Sequence, residues 1–321
     1  MKFILVLLLL SILFGQTFGQ NVQPVKIRAG GVEFHYIEKG QGEPLVLLHG
    51  GVGDYRAWDA QMEEFSKAYR VISYSRRYHY PNKNPLTAEY QTAITEAEDL
   101  AAFLRKLKLG KVHLIGQSYG GFTALIFALK NPGMVRSMVL AEPPAHQLIR
   151  DLPDGETVYL DFMNALKPVA EAFRQGNDRE AMSIFNGILG RKLDNLPPAT
   201  VEAIMQNAPA MKAINLSPEP FPKISKEEIR RLKIPVLVIA GENTIKIHKL
   251  VNQELFRLLP NAKEAIIPNS GHGTPRENPQ VFNETVLKFL VSTMSKQSKS
   301  SKRLGKAGDR QFLKRGARIN V

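Results

Sequence analysis

The sequence predicts an α/β protein: a mostly parallel, doubly wound sheet with a block of helices inserted between its sixth and seventh strands. Three observations carry this reading. Short apolar runs such as Leu45 to Leu48 and Val236 to Ala240 lack polar alternation, as strands buried on both faces do. Segments with helical spacing follow these runs in turn, and such alternation implies parallel strands joined by crossover helices. The alternation breaks once, from His146 to about Glu227, where helical and irregular sequence with many prolines replaces it.

The elements follow in order. VKIRAGGVEFHYIEKG reads as a β-hairpin about Gly30-Gly31. PLVLLHGG is the third strand, Asp54 to Lys67 has helical spacing, and YRVISYS is the fourth strand. Thr92 to Leu107 repeats apolar residues at a helical period, with acids early and Arg105, Lys106 and Lys108 late, as the helix dipole favours. KVHLIGQS, GFTALIFALKNP and VRSMVLAEPP read as strand five, a helix and strand six. Within the break, EAFRQGNDREAMSIFNGIL suggests two helices about Gly176. IPVLVIAG and AKEAIIP are strands seven and eight, with helices at Lys249 to Leu259 and Pro279 to Met294. The expected organisation is a core of residues 20–145 and 228–294 with a helical lid at 146–227. A lid there would cover the carboxyl edge, where such sheets bind ligands.

Composition excludes several classes. The 321 residues include no cysteine, which removes disulfides, thiolate metal sites and a cysteine nucleophile. The seven histidines show no helical pair around an acid, so no metal site is expected, and GGVG at 50–53 lacks the residues of a phosphate-binding loop. No cofactor is implied. Residues 1–19 have a basic start, an apolar run and a small residue before Gln20, as a signal peptide has, so the mature protein is expected to be exported. The apolar run is shorter than the roughly 20 residues that span a bilayer. The net charge is +13, but nine basic residues against Asp309 fall in the tail 295–321. That tail has a disordered composition, and it reads either as a solvated tail without a role or as a weak contact for an anionic surface. Nucleic acid is not an expected partner.

Two motifs carry chemistry. Gly116-Gln117-Ser118-Tyr119-Gly120 fits G-x-S-x-G between a strand and a helix, the setting that lifts a serine above a sheet edge. His272, in NSGHG after the last strand, sits on a loop that can bring an imidazole to Ser118 as general base. His49-Gly50-Gly51 ends the third strand, and the N–H groups of Gly51 and Tyr119 are suited to holding a tetrahedral oxyanion. Arg76 and Arg77, after strand four at the same edge, are candidate substrate-binding residues, and the other reading is that they tie the loop to neighbouring carboxylates.

With LVLLHGG, GQSYGG and NSGHG in this order around the inserted helices, the chain resembles the α/β-hydrolase superfamily, in its lid-bearing branch. DYRAW, YSRRYHYPN and GEN are similar to an esterase- and enol-lactonase-like subgroup. The serine at 118 departs from haloalkane dehalogenases and epoxide hydrolases, which carry aspartate there. The resemblance implies an acid after strand seven, but that position is Thr244. Some members of the superfamily carry their acid after strand six, where this chain has Glu142, followed by Pro143-Pro144. Glu142 is therefore the first candidate to complete the set with Ser118 and His272, and Glu242 is its rival. The expected function is hydrolysis of a small carboxylic ester or lactone through an acyl-enzyme on Ser118. Carbon–carbon bond hydrolysis, perhydrolysis and small-molecule binding with little turnover are the alternatives.

Overall fold

The computed structural model describes residues 23–87 and 91–293; the expected signal peptide and basic tail lie outside these residues. Eight strands form one sheet: β1 (Val25–Ala29), β2 (Val32–Lys39), β3 (Pro44–Leu48), β4 (Arg70–Tyr74), β5 (Val112–Gln117), β6 (Val135–Ala141), β7 (Val236–Gly241) and β8 (Ala262–Ile267). Their spatial order is β1-β2-β4-β3-β5-β6-β7-β8. The hairpin β1–β2 is antiparallel and joins β4 antiparallel; every other pairing is parallel. Gly30 and Gly31 both hold positive φ, which lets two residues close the hairpin.

Strand periodicity divides the core. Val46, Leu48, Leu114, Leu140, Val236 and Val238 face one side, packed on α2 (Ala93–Lys106), α3 (Tyr119–Lys130) and α9 (Lys246–Leu258). Leu45, Leu47, Ile115, Val139, Leu237 and Ile239 face the other, against α1 (Asp59–Phe65) and the helix at 279–293. This two-residue alternation buries every central strand on both faces. Helix α2 starts where expected because Thr92 caps it, its side chain accepting from the N–H of Thr95 at 3.2 Å. Two expected helices differ at their starts. The region from Asp54 opens as a 3-10 turn, Tyr55–Trp58, because the Asp54 side chain accepts from Arg56 N. Helix α9 begins at Lys246, three residues before the periodicity suggested, and no side chain caps it.

Between β6 and β7 stand a 3-10 turn (His146–Ile149) and five helices: α4 (Gly155–Arg174), α5 (Asp178–Ile188), α6 (Pro198–Met205), α7 (Ala208–Leu216) and α8 (Lys226–Arg231). Gly176, with positive φ, ends α4, and α5 follows directly. Val169, Phe173, Met182 and Met211 of this insertion join the same apolar core as β3 and β5. Asn207 clamps the insertion to the sheet edge: its amide donates to Asp54 Oδ2 at 2.9 Å and its carbonyl accepts from Tyr80 N at 2.9 Å.

Candidate active site

The glycines of GQSYGG explain the turn at Ser118. A Cβ on Gly116 would lie 2.5 Å from Cα of Gly121, and one on Gly120 would lie 2.4 Å from the carbonyl oxygens of Leu48 and His49. Only glycine permits that closeness between strand and helix. Ser118 takes φ 52° and ψ −127°, a conformation that side chains rarely adopt and that is held here by its surroundings. Its N–H donates to the carbonyl of Ala141 at 2.8 Å. The serine thus stands at the start of α3, above the carboxyl edge of the sheet.

Of the two candidate carboxylates, Glu142 and not Glu242 is hydrogen-bonded to His272. His272 Nδ1 donates to Glu142 Oε2 at 2.6 Å, with the carboxylate fully buried. Two more donors converge on Glu142. Gly241 N donates to Oε1 at 2.8 Å and Thr244 Oγ1 donates to Oε2 at 2.7 Å. Thr244 therefore orients a carboxylate that arrives from the neighbouring strand. β6 and β7 pair in parallel, which sets their ends side by side. Glu142 itself holds φ 52°, a positive value for a non-glycine residue. Glu242 is exposed and turned away; its Oε2 accepts from Asn269 N at 2.9 Å and fixes the turn before the histidine loop.

The histidine loop is held from three sides. A Cβ on Gly241 would come 2.1 Å from the carbonyl oxygen of Gly271, so the loop lies directly on this glycine. Gln117 Nε2 donates to the carbonyl of His272 at 3.0 Å, tying the loop to the serine turn. Glu277 accepts from Gly271 N at 2.6 Å and from Gly273 N at 3.2 Å. Nothing in the sequence pattern singled out Glu277.

Ser118, Tyr119, Gly51 and His272 line one cavity. Among the described residues, neither Gly51 N nor Tyr119 N donates a hydrogen bond. Ser118 Oγ also makes none in this conformation, so the serine and histidine share the cavity without a direct bond.

Arg76 and Arg77 do not line the cavity. Arg76 is buried in an ion pair with Glu96 and donates to the carbonyls of His49 at 3.1 Å and Gly50 at 3.2 Å. It draws those carbonyls behind the loop. Arg77 makes a two-pronged ion pair with Asp99 at 2.7 and 2.6 Å. Both therefore brace the edge, because carboxylates on α2 stand opposite them. His49 is braced as well. Its Nδ1 pairs with the Gly50 carbonyl at 2.8 Å and its Nε2 accepts from Arg76 N at 3.1 Å. Burial, with the Arg76 guanidinium beside it, lowers His49 to about 3, so it stays neutral.

Other cavity residues carried no motif. Arg191 and Arg276 line it, and among the described residues neither has a carboxylate within ion-pair range. His146 and His248 also line it, each almost fully buried. Burial and the nearby His272 lower His146 to about 3 and hold His248 well below its usual value. Their roles depend on folding that brings residues 146, 248 and 272 together, which spacing along the chain does not reveal.

Comparison with known proteins agrees with this architecture. The alpha/beta hydrolase fold family matches residues 43–279, and the chain belongs to that family. It is 27% identical over 269 residues to the 2-hydroxy-6-oxononadienedioate/2-hydroxy-6-oxononatrienedioate hydrolase of Burkholderia vietnamiensis, covering 80% of this chain and 90% of that one. Two solved structures share the fold. Est816, described as an N-acyl homoserine lactone degrading enzyme, has a TM-score of 0.66 at 23% identity, covering 83% of this chain and 100% of its own. A thermophilic esterase from Thermogutta terrifontis has a TM-score of 0.65 at 24% identity, covering 84% and 99%.

Proposed function

We propose that the protein is an exported serine hydrolase that cleaves a small carboxylic ester or lactone. The observation that carries this is the buried 2.6 Å hydrogen bond from His272 to Glu142, on a cavity shared with Ser118 at its strand–helix turn. With Nδ1 committed to the carboxylate, His272 keeps its Nε2 lone pair for a proton. Ser118 attacks the carbonyl carbon while His272 takes the hydroxyl proton. The negative charge on the carbonyl oxygen is met by the unpaired N–H groups of Gly51 and Tyr119. His272 then gives the proton to the leaving oxygen, and water repeats the sequence in reverse roles to free the acid. The helices between β6 and β7 serve as the lid, and Phe162, Leu166, Phe185 and Ile214 from them give the cavity an apolar wall. Export is supported by the signal-like start at residues 1–19. Kinetics on a panel of 4-nitrophenyl esters and lactones test the reading, with Ser118→Ala as the control. Turnover that survives in this variant would sink it.

A specific observation favours a second reading. Arg191 and Arg276 line the cavity, and among the described residues neither is in an ion pair, which suits a substrate carboxylate. The Burkholderia relative is named for 2-hydroxy-6-oxo dienedioates. Those acids contain no ester, so their hydrolysis breaks a carbon–carbon bond beside a ketone. On this reading Arg191→Ala raises KM at least tenfold for a carboxylate-bearing dienone and leaves neutral 4-nitrophenyl acetate unaffected.

A further inference from the structure

The catalytic-site geometry leaves one feature without a role: the ring of His248, which lies flat on the ring of His272. The two centroids are 4.3 Å apart and the planes differ by 15°. His248 comes from the first turn of α9, an element otherwise remote from the chemistry. Behind it stands His146, with centroids 5.8 Å apart, and behind that Phe162 at 4.7 Å and Phe221 at 5.1 Å. A file of rings therefore runs from the inserted helices to the face of His272.

The nitrogens of His248 do not explain its presence. Neither has a hydrogen-bond partner, and neither has one in His146. A buried imidazole with both nitrogens idle is costly, which leaves the face of the ring as its contact with the site. Glu142, His248 and His272 also place possible ligand atoms within 4.8 Å of one another. A shared metal ion fits poorly there. Ring nitrogens bind metals in the plane of the ring, and two parallel stacked rings direct their lone pairs past each other. Glu142 already accepts three hydrogen bonds.

The stack supplies something the other contacts lack. The hydrogen bond to Glu142 pins His272 at Nδ1 only, and a ring pinned at one atom can still rock about that bond. A flat neighbour on its face stops the rocking. The neighbour must also be uncharged, because His272 becomes positive when it takes the serine proton. Burial keeps His248 neutral, and a neutral aromatic face attracts a cation held against it.

We propose that His248 is a positioning residue: its neutral ring, backed by His146 and Phe162, fixes the plane of His272 and favours the imidazolium formed in turnover. This rests on the serine-hydrolase reading of Ser118 and His272. The test uses the full chain, with wild type, His248→Phe and His248→Leu compared on 4-nitrophenyl acetate after thermal melts establish that each is folded. Phenylalanine keeps a flat, uncharged face; leucine fills similar space without one. His248→Phe is expected to retain kcat within about threefold, and His248→Leu to lose roughly tenfold in kcat with KM changed less than twofold. Mere packing would treat the two alike, so equal rates in the two variants, or loss through KM alone, overturn the proposal. Fluorophosphonate labelling of the wild type separates the two levels. Failure to label Ser118 removes the parent reading and this one with it. Labelling at Ser118 with no difference between the variants removes this one only.

Discussion

Glu142 receives hydrogen bonds from Gly241, Thr244 and His272, and these contacts make predictions at the scale of single residues. Thr244→Val removes one donor to a buried carboxylate. That is a loss of about 1.5–3 kcal/mol in orientation, so kcat/KM should fall about ten- to hundredfold. The double change Glu142→Gln with Thr244→Asp moves the acid to the position the superfamily more often uses. Thr244 Oγ1 lies 2.7 Å from the carboxylate oxygen that His272 engages, so an aspartate there occupies nearly the same space. Steady-state kinetics should show the double variant at least tenfold above Glu142→Gln alone; no recovery would argue that strand six has a role beyond delivering the acid. The placement of Ser118 at its turn, of His272 on its loop and of Glu142 beside that histidine was open to reading from sequence because each stands in a short motif beside a strand end. Arg76 and Arg77 were not, because the same loop position serves a substrate carboxylate or a protein one. Glu96 and Asp99 decide that, and they face these arginines only after α2 has packed.

At the scale of elements, the loops around the site are fixed by close approach rather than by many bonds. Gly241→Ala drives a methyl group toward the carbonyl of Gly271, which must shift by more than an ångström. His272 then leaves Glu142, and turnover should drop at least a hundredfold. Circular dichroism should still report a folded protein. Asn207→Ala releases the insertion from Asp54 and Tyr80 and leaves a buried carboxylate short of a donor. It should cost about 2 kcal/mol in urea unfolding. An unchanged midpoint would mean that the insertion is held by its apolar face alone. The strands and most helices were legible because their apolar periods are unbroken. The starts at Tyr55 and Lys246 were not, because a side-chain bond from Asp54 and an uncapped first turn leave little trace in periodicity.

For the whole molecule, five buried histidines make stability depend on pH. His49 and His146 sit at about 3, His79 and His248 well below their usual value and His113 below it, all chiefly through burial. Unfolded, each takes up a proton as pH falls through about 6.5. Folded, they do not, so the unfolded state binds more protons between these limits and stability falls as pH is lowered below about 6.5. Asp99, raised by burial to about 6, works in the opposite direction over part of that range and offsets one proton. The melting temperature should therefore drop steeply from pH 6.5 toward 4.5, and His146→Phe with His248→Phe should flatten the slope. Equal slopes would mean that these rings are protonated in the fold. The central claim, that Ser118 is activated by His272 held on Glu142, is tested most directly by the rate of fluorophosphonate labelling, with the modified residue located by mass spectrometry. Ser118 should be labelled, Glu142→Gln should slow the reaction about 10³-fold or more, and Glu242→Gln should stay within about threefold. Undiminished labelling in Glu142→Gln, or labelling that spares Ser118, would contradict it.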